Sequence, residues 1–124
     1  MMCIFCQKYK DHKDIIYENN TIFVIYDSFP VSKGHCLIIP KRHIPDYFSI
    51  NDDELKDINE AIKQMKKIID KTYHPDGYNI GINNGHAAGQ TVFHLHVHLI
   101  PRYLGDVLNP RGGVRTVIPG KQIY

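Results

Sequence analysis
The stretch that most limits what this chain can become is residues 89–101. There His94, His96 and His98 stand at strict two-residue steps, with Leu95 and Val97 between them and Leu99 following. In an extended strand successive side chains point to opposite faces. This spacing therefore places the three imidazoles in one row and Leu95, Val97 and Leu99 in the other, facing a core. Neighbours in such a row lie roughly 6.6–7 Å apart at Cα, close enough for one phosphate-sized group to touch two of them. An isolated histidine would read as a solvated bystander; three on one face, preceded by Gly89, Gln90 and Thr91, do not. Imidazole is the commonest metal ligand, yet a catalytic zinc site wants a carboxylate or a differently placed third ligand. No Asp or Glu lies in this stretch. The other chemistry is nucleophilic catalysis, in which one imidazole attacks and its neighbour hydrogen-bonds the substrate or leaving group.

The rest of the chain supplies a sheet for this row. Residues 15–18 and 21–26 are β-branched and aromatic, and Asn19-Asn20 between them tolerates positive φ, which predicts a hairpin. Residues 27–34 carry Pro30 and Gly34 and read as a loop; residues 35–40 make a third strand. After the Pro75-Asp76-Gly77 turn, Tyr78, Ile80 and Ile82 alternate through a fourth strand over 78–84, and the histidine stretch is the fifth. A long helix lies between the third and fourth. Asn51 is its N-cap, Glu54 three residues on completes a capping box, and Asp52 and Asp53 suit the positive end of the helix dipole. Leu55, Ile58, Ile62, Met65, Ile68 and Ile69 form one apolar stripe, while Lys56, Lys63, Lys66, Lys67 and Lys71 read as a solvated face. Five strands and one long helix predict an α+β fold, an antiparallel sheet with the helix on one side.

With 124 residues the chain suits one domain over 1–124. Its net charge of +2 is too small to make nucleic acid or a membrane surface the main partner. No apolar run approaches a spanning length, and residues 1–14 lack a basic-then-apolar leader pattern, so a cytoplasmic location is expected. Three cysteines, including Cys3-x-x-Cys6, fit a reducing compartment better than a disulfide scaffold. Residues 1–14 are otherwise short and polar, and residues 103–124 carry loop chemistry that is expected to wrap the surface.

Gln90-Thr91-Val92-Phe93-His94-Leu95-His96-Val97-His98-Leu99 resembles the signature of the histidine-triad (HIT) nucleotide hydrolases and transferases. Gly34-His35-Cys36-Leu37-Ile38-Ile39-Pro40-Lys41-Arg42-His43 resembles that family's Gly-His strand and Pro-Lys-x-His segment. Two ordered motifs about 60 residues apart are more specific than the triad alone, and the likeness covers roughly residues 3–102. The resemblance implies the HIT-like fold, a homodimer and a purine nucleotide substrate cut at its α-phosphate without a catalytic cofactor. It makes His96 the nucleophile that carries the nucleotidyl group, His98 its partner at the phosphate or bridge, and His35 a residue behind the triad. It places Gln90, Thr91, Gly89 and Asn83 around the phosphate, Asp27 at the ribose hydroxyls, and Phe5 and Ile25 (with Phe23) beside the base. Dinucleoside polyphosphates, nucleoside phosphoramidates and adenylylated compounds all remain open as substrates. So do two alternatives, a nucleotidylyltransferase and a non-catalytic nucleotide-binding module. The short chain and His98 favour hydrolysis, because transferase relatives carry Gln at that position.

Cys3-x-x-Cys6 is a good half-site for tetrahedral zinc. In relatives with such a knuckle, the histidines matching His43 and His94 complete a structural site, which makes Cys3, Cys6, His43 and His94 the implied ligands. Arg102, Arg111, Arg115 and Lys121 are candidates for gripping distal phosphates, or else belong to a basic surface tail.

Overall fold
Alternation within the β-branched runs builds the sheet that carries the histidines. In the computed structural model, which describes residues 3–124, five strands run in chain order: β1 (Ile15–Glu18), β2 (Ile22–Tyr26), β3 (Cys36–Pro40), β4 (Gly77–Gly81) and β5 (Val97–Arg102). They form one antiparallel sheet in the order β1-β2-β3-β5-β4. Two α-helices, α1 (Ile4–Asp11) and α2 (Asp52–Tyr73), flank it. This is the expected α+β architecture. Among the described residues, no helix is long and apolar enough to cross a membrane.

Period 2 divides the sheet into two faces. Ile22, Val24, Cys36, Ile38, Val97 and Leu99 are buried with Ile58, Ala61, Met65 and Ile69 of α2. Each such side chain contributes about 1.5–3 kcal/mol of transfer free energy. Phe23, Ile25, Leu37 and Ile39 point the other way and are covered by Phe5 of α1. Gly34 leads into β3 at φ 89°, where a Cβ would press on Tyr73, Pro101 and Ile69, so only glycine makes this turn without strain.

The capping box of α2 is present in full. Glu54 N–H donates to Asn51 Oδ1 at 2.8 Å, and Asn51 N–H donates to Glu54 Oε1 at 3.0 Å. Glu54 is 2% exposed and also accepts from Arg42 Nη2 (2.7 Å) and Nε (3.1 Å). The Arg42 hydrogen bonds hold its carboxyl below the usual range. Its contribution is therefore full above the unfolded-state pKa and is lost as pH falls through the lower folded value. Glu54→Ala is expected to destabilise the fold by about 2–3 kcal/mol, read as a lower urea midpoint at unchanged m-value.

Several elements differ from the sequence pattern. Residues 4–11, read from the sequence as a short polar segment beyond the Cys3–Cys6 knuckle, form a helix, because Phe5 and Tyr9 lie one turn apart and pack on the same sheet face. Ile68 is 38% exposed, and the buried stripe of α2 runs instead through Glu54, Ile58, Ala61, Met65 and Ile69. β4 ends at Gly81, three residues early. β5 begins at Val97, so His94 and His96 precede the strand. Leu95 N–H donates to Ile44 O at 2.7 Å, outside the sheet ladder. Leu95, Val97 and Leu99 are nevertheless all buried in the core, as the alternation requires.

Candidate functional site
The histidine row emerges on the face of the sheet opposite α2. His96 and His98 are neighbours, with ring centroids 5.2 Å apart, and Phe5 stands 5.0 Å from His96 on its other side. Hydrogen-bond partners set the protonation of each ring. His96 Nδ1 lies 2.9 Å from the carbonyl of His94, which can only accept, so Nδ1 carries the proton and Nε2 keeps a free lone pair. A nucleophile needs that atom.

A second chain of partners fixes His98. Val31 N–H donates to His35 Nδ1 at 3.1 Å, leaving the His35 proton on Nε2. That proton faces His98 Nδ1 at 3.0 Å and Asp27 Oδ2 at 3.4 Å. Donation from His35 makes His98 Nδ1 an acceptor and puts its own proton on Nε2. Burial lowers the His98 pKa to about 4, with help from His96 and His35, and burial also lowers His35. The Asp27 carboxylate opposes both shifts.

The sign of the resulting pH effect is fixed. His98 stays neutral in the native state while an unfolded chain takes a proton near pH 6.5, so stability is complete above that value and is lost as pH falls toward about 4. The melting temperature of the protein should fall across this window more steeply than that of His98→Asn.

The phosphate-side residues sort into distinct roles. Thr91 and Asn83 are exposed. Gly89 holds φ 89° at the end of a 3-10 turn over His86–Ala88. Gln90 is different: it is 2% exposed, its amide donates to Pro45 O (2.6 Å) and Val92 O (3.1 Å), and its Oε1 accepts from Gly85 N–H (2.8 Å). Both amide hydrogens are taken by backbone, so Gln90 braces the 85–90 loop and has none left for a phosphate. Phe5, Phe23 and Ile25 are buried in one cluster on the histidine side of the sheet, and the Phe5 ring lies 5.0 Å from that of His96. Asn84, which the pattern did not single out, anchors the loop by accepting from Tyr47 N–H at 2.9 Å.

Cys3, Cys6, His43 and His94 come together at one end of the row, with their donor atoms all within 4.8 Å of one another. Cys3 Sγ lies 3.4 Å and His43 Nδ1 3.1 Å from His94 Nδ1, and Cys6 Sγ lies 3.3 Å from His43 Nδ1. These separations match the edges of a tetrahedron built on Zn–S of about 2.3 Å and Zn–N of about 2.0–2.1 Å. His94 Nε2 donates to Pro40 O at 2.7 Å, which turns Nδ1 toward the cluster as an unprotonated donor. Burial and the adjacent Cys3 raise the Cys6 thiol pKa; a divalent cation would offset that repulsion. The donor set fits zinc.

Arg102, Arg111 and Arg115 have partners within the chain. Arg102 forms a fork with Asp106 (2.8 and 2.9 Å) and donates to Asn79 Oδ1 at 2.7 Å. Arg111 and Arg115 lie over the Tyr124 ring at 4.8 and 4.9 Å.

The HIT domain model matches residues 8–105, most of the chain. The chain belongs to the HIT family. An uncharacterized HIT-like protein of Methanocaldococcus jannaschii is 40% identical over 107 residues, covering 85% of this chain and 82% of its own. A bis(5'-nucleosyl)-tetraphosphatase (asymmetrical) of Schizosaccharomyces pombe is 32% identical, over 83% of this HIT chain and 57% of its own, so the family includes hydrolases. Among solved structures, a zinc-bound histidine triad protein from Mycobacterium smegmatis superposes with a TM-score of 0.78 at 36% identity, covering 88% of this chain and 81% of that one.

Proposed function
We propose that this HIT protein is a nucleotide hydrolase that cleaves at the α-phosphate through a nucleotidyl-histidine on His96 and releases a nucleoside monophosphate. The observation that carries it is the 2.9 Å contact of His96 Nδ1 with the His94 carbonyl, which leaves Nε2 as a neutral nucleophile. The bound phosphate, an anion beside His98, raises the pKa of that imidazole, and Asp27 favours the same charged form. His98 thus acquires a proton from solvent when substrate binds. The His96–phosphorus bond then forms, the bridge to the leaving group breaks, and the leaving atom keeps the electron pair and takes the His98 proton. In the second half, water attacks phosphorus, His98 takes the water proton, and His96 departs neutral.

The Thr91 hydroxyl, Asn83 and the backbone at Gly89 border the phosphate in this reading. Asp27 meets the ribose and Phe5 the base, a purine by analogy with relatives. Cys3, Cys6, His43 and His94 hold a structural zinc, which supplies a cross-link and no chemistry to the reaction. The free edge of β4, with Ile80 48% exposed, and the partly exposed Ile68 of α2 support a homodimer with a continuous sheet. Thiol ligands of this kind suit a cytoplasmic setting.

Intact-protein mass spectrometry after brief mixing with an adenosine 5'-phosphoramidate tests the reaction. A transient gain of one adenylyl group with release of AMP is expected. Nucleotide binding without adduct or turnover would leave a binding module instead.

A further inference from the structure
The proposed reaction asks more of His98 than its resting contacts supply. His98 rests with its proton on Nε2, so the second proton it takes up enters on Nδ1. That nitrogen lies 3.0 Å from His35 Nε2, which already carries a hydrogen because Val31 N–H occupies His35 Nδ1. Two N–H groups would then face one another with no lone pair between them, and a buried donor without an acceptor is costly. His35 is 3% exposed, so water has little access to this side of the pair.

Asp27 stands at that junction. Its backbone N–H donates to His35 O at 3.0 Å, one step beyond the Tyr26–Cys36 pairing of β2 with β3. Its Oδ1 accepts from Phe29 N–H at 2.9 Å, and its Oδ2 lies 3.4 Å from His35 Nε2. That is longer than an ordinary N–H···O bond of roughly 2.7–3.2 Å, so at rest the His35 hydrogen belongs to His98 and Oδ2 is a spare acceptor. The donor atoms of Asp27, His35 and His98 all lie within 4.8 Å of one another. A small turn of either ring therefore brings its N–H onto the carboxylate. The titratable groups facing His98 are His96 from the same segment, His35 from the start of β3 and Asp27 from the end of β2, while β4 presents Gly81. Burial, His96 and His35 all disfavour a charge on His98, and Asp27 opposes them.

The geometry points to Asp27 as the positioning residue for the His98 proton: its Oδ2 accepts His98 Nδ1–H and the His35 hydrogen together, while His98 is charged and through the life of the adduct. This rests on the hydrolase reading above. In the first half the bond from phosphorus to the leaving atom breaks, and that atom keeps the electron pair and takes the His98 Nε2 proton. His98 is left neutral with its remaining hydrogen on Nδ1, held by Asp27, and Nε2 is now a base. In the second half Nε2 takes a proton from the attacking water. His98 returns to rest by releasing the Nδ1 proton to solvent.

The test separates this proton role from ribose binding. Adduct formation on His96 is timed by quenched single-turnover mass spectrometry, in wild type and Asp27→Asn, from two probes that carry the same adenosine. Adenosine 5'-phosphoramidate must lose an amine, which needs a proton, whereas the 4-nitrophenyl ester of AMP loses a phenolate, which does not. Asp27→Asn should slow adduct formation about thirtyfold with the phosphoramidate and less than about threefold with the ester. Removing the carboxylate lowers the His98 pKa in the complex. The phosphoramidate rate, which falls as pH rises through that pKa, should therefore begin to fall about one pH unit lower. The ester rate also reports that the variant is folded, and Asp27→Glu, which restores the charge, should recover part of the phosphoramidate rate. An equal loss with both probes, or none with either, overturns the assignment while the adduct keeps the hydrolase reading intact. No adduct from either probe on the wild type overturns both.

Discussion

Replacing His96 with alanine is expected to lower kcat by about 10⁴-fold or more, because in the proposed reaction the variant loses the atom that carries the nucleotidyl group. Stopped reactions resolved by mass should show the adduct on the wild-type chain and none on the variant. Nucleotide affinity should change far less, since Phe5, Thr91 and Asp27 remain, so the loss falls on kcat and not on KM. The argument depends on one hydrogen bond: the His94 carbonyl fixes the proton of His96 on Nδ1. A protein that retained adduct formation in His96→Ala would have to attack through His98. That is difficult, because His98 Nδ1 faces His35 at 3.0 Å and its other nitrogen holds the proton. Turnover surviving in the variant would sink the mechanism.

How far the site was legible in the sequence follows from the range of the interactions involved. Period 2 revealed which of residues 94–99 face the core, because that depends only on local backbone geometry. It also suggested a single strand for all three histidines. That failed at His94 and His96, where bonds to Ile44 and Pro40 draw the chain out of the ladder. The helix was plain from Asn51 and Glu54, since a capping box is a four-residue signal. The short helix α1 was not: eight residues with little intrinsic helicity form it only because Phe5 and Tyr9 find the sheet. Gln90 illustrates the remaining limit. A sequence shows an amide beside a phosphate loop, but whether its hydrogens point outward or to Pro45 and Val92 depends on contacts 45 residues apart. The pairing of Arg102 with Asp106, an i,i+4 contact, was within reach of the sequence.

Removing zinc is expected to cost the protein about 4 kcal/mol relative to free zinc held near a thousand times its dissociation constant. For a chain of 124 residues that is a melting shift of about 15 °C. Native mass spectrometry should show one zinc per chain, lost in Cys6→Ser, and a chelator should lower the melting temperature of the wild type but not of that variant. The size follows from where the ligands sit. Cys3 caps α1 and Cys6 lies in its first turn, while His43 follows β3 and His94 precedes β5, so one ion would join segments separated by as many as 91 residues. The consequence reaches the chemistry through Phe5, which lies between the two cysteines and stands 5.0 Å from His96. Once the metal is gone, α1 is held by Phe5 and Tyr9 alone, and the wall beside the nucleophile loosens. The apo protein should therefore show a raised KM for nucleotide together with increased hydrogen exchange in residues 4–11. A chelator that changed neither melting nor exchange would reduce the four side chains to a hydrogen-bonded cluster and remove zinc from the account of how Phe5 is placed.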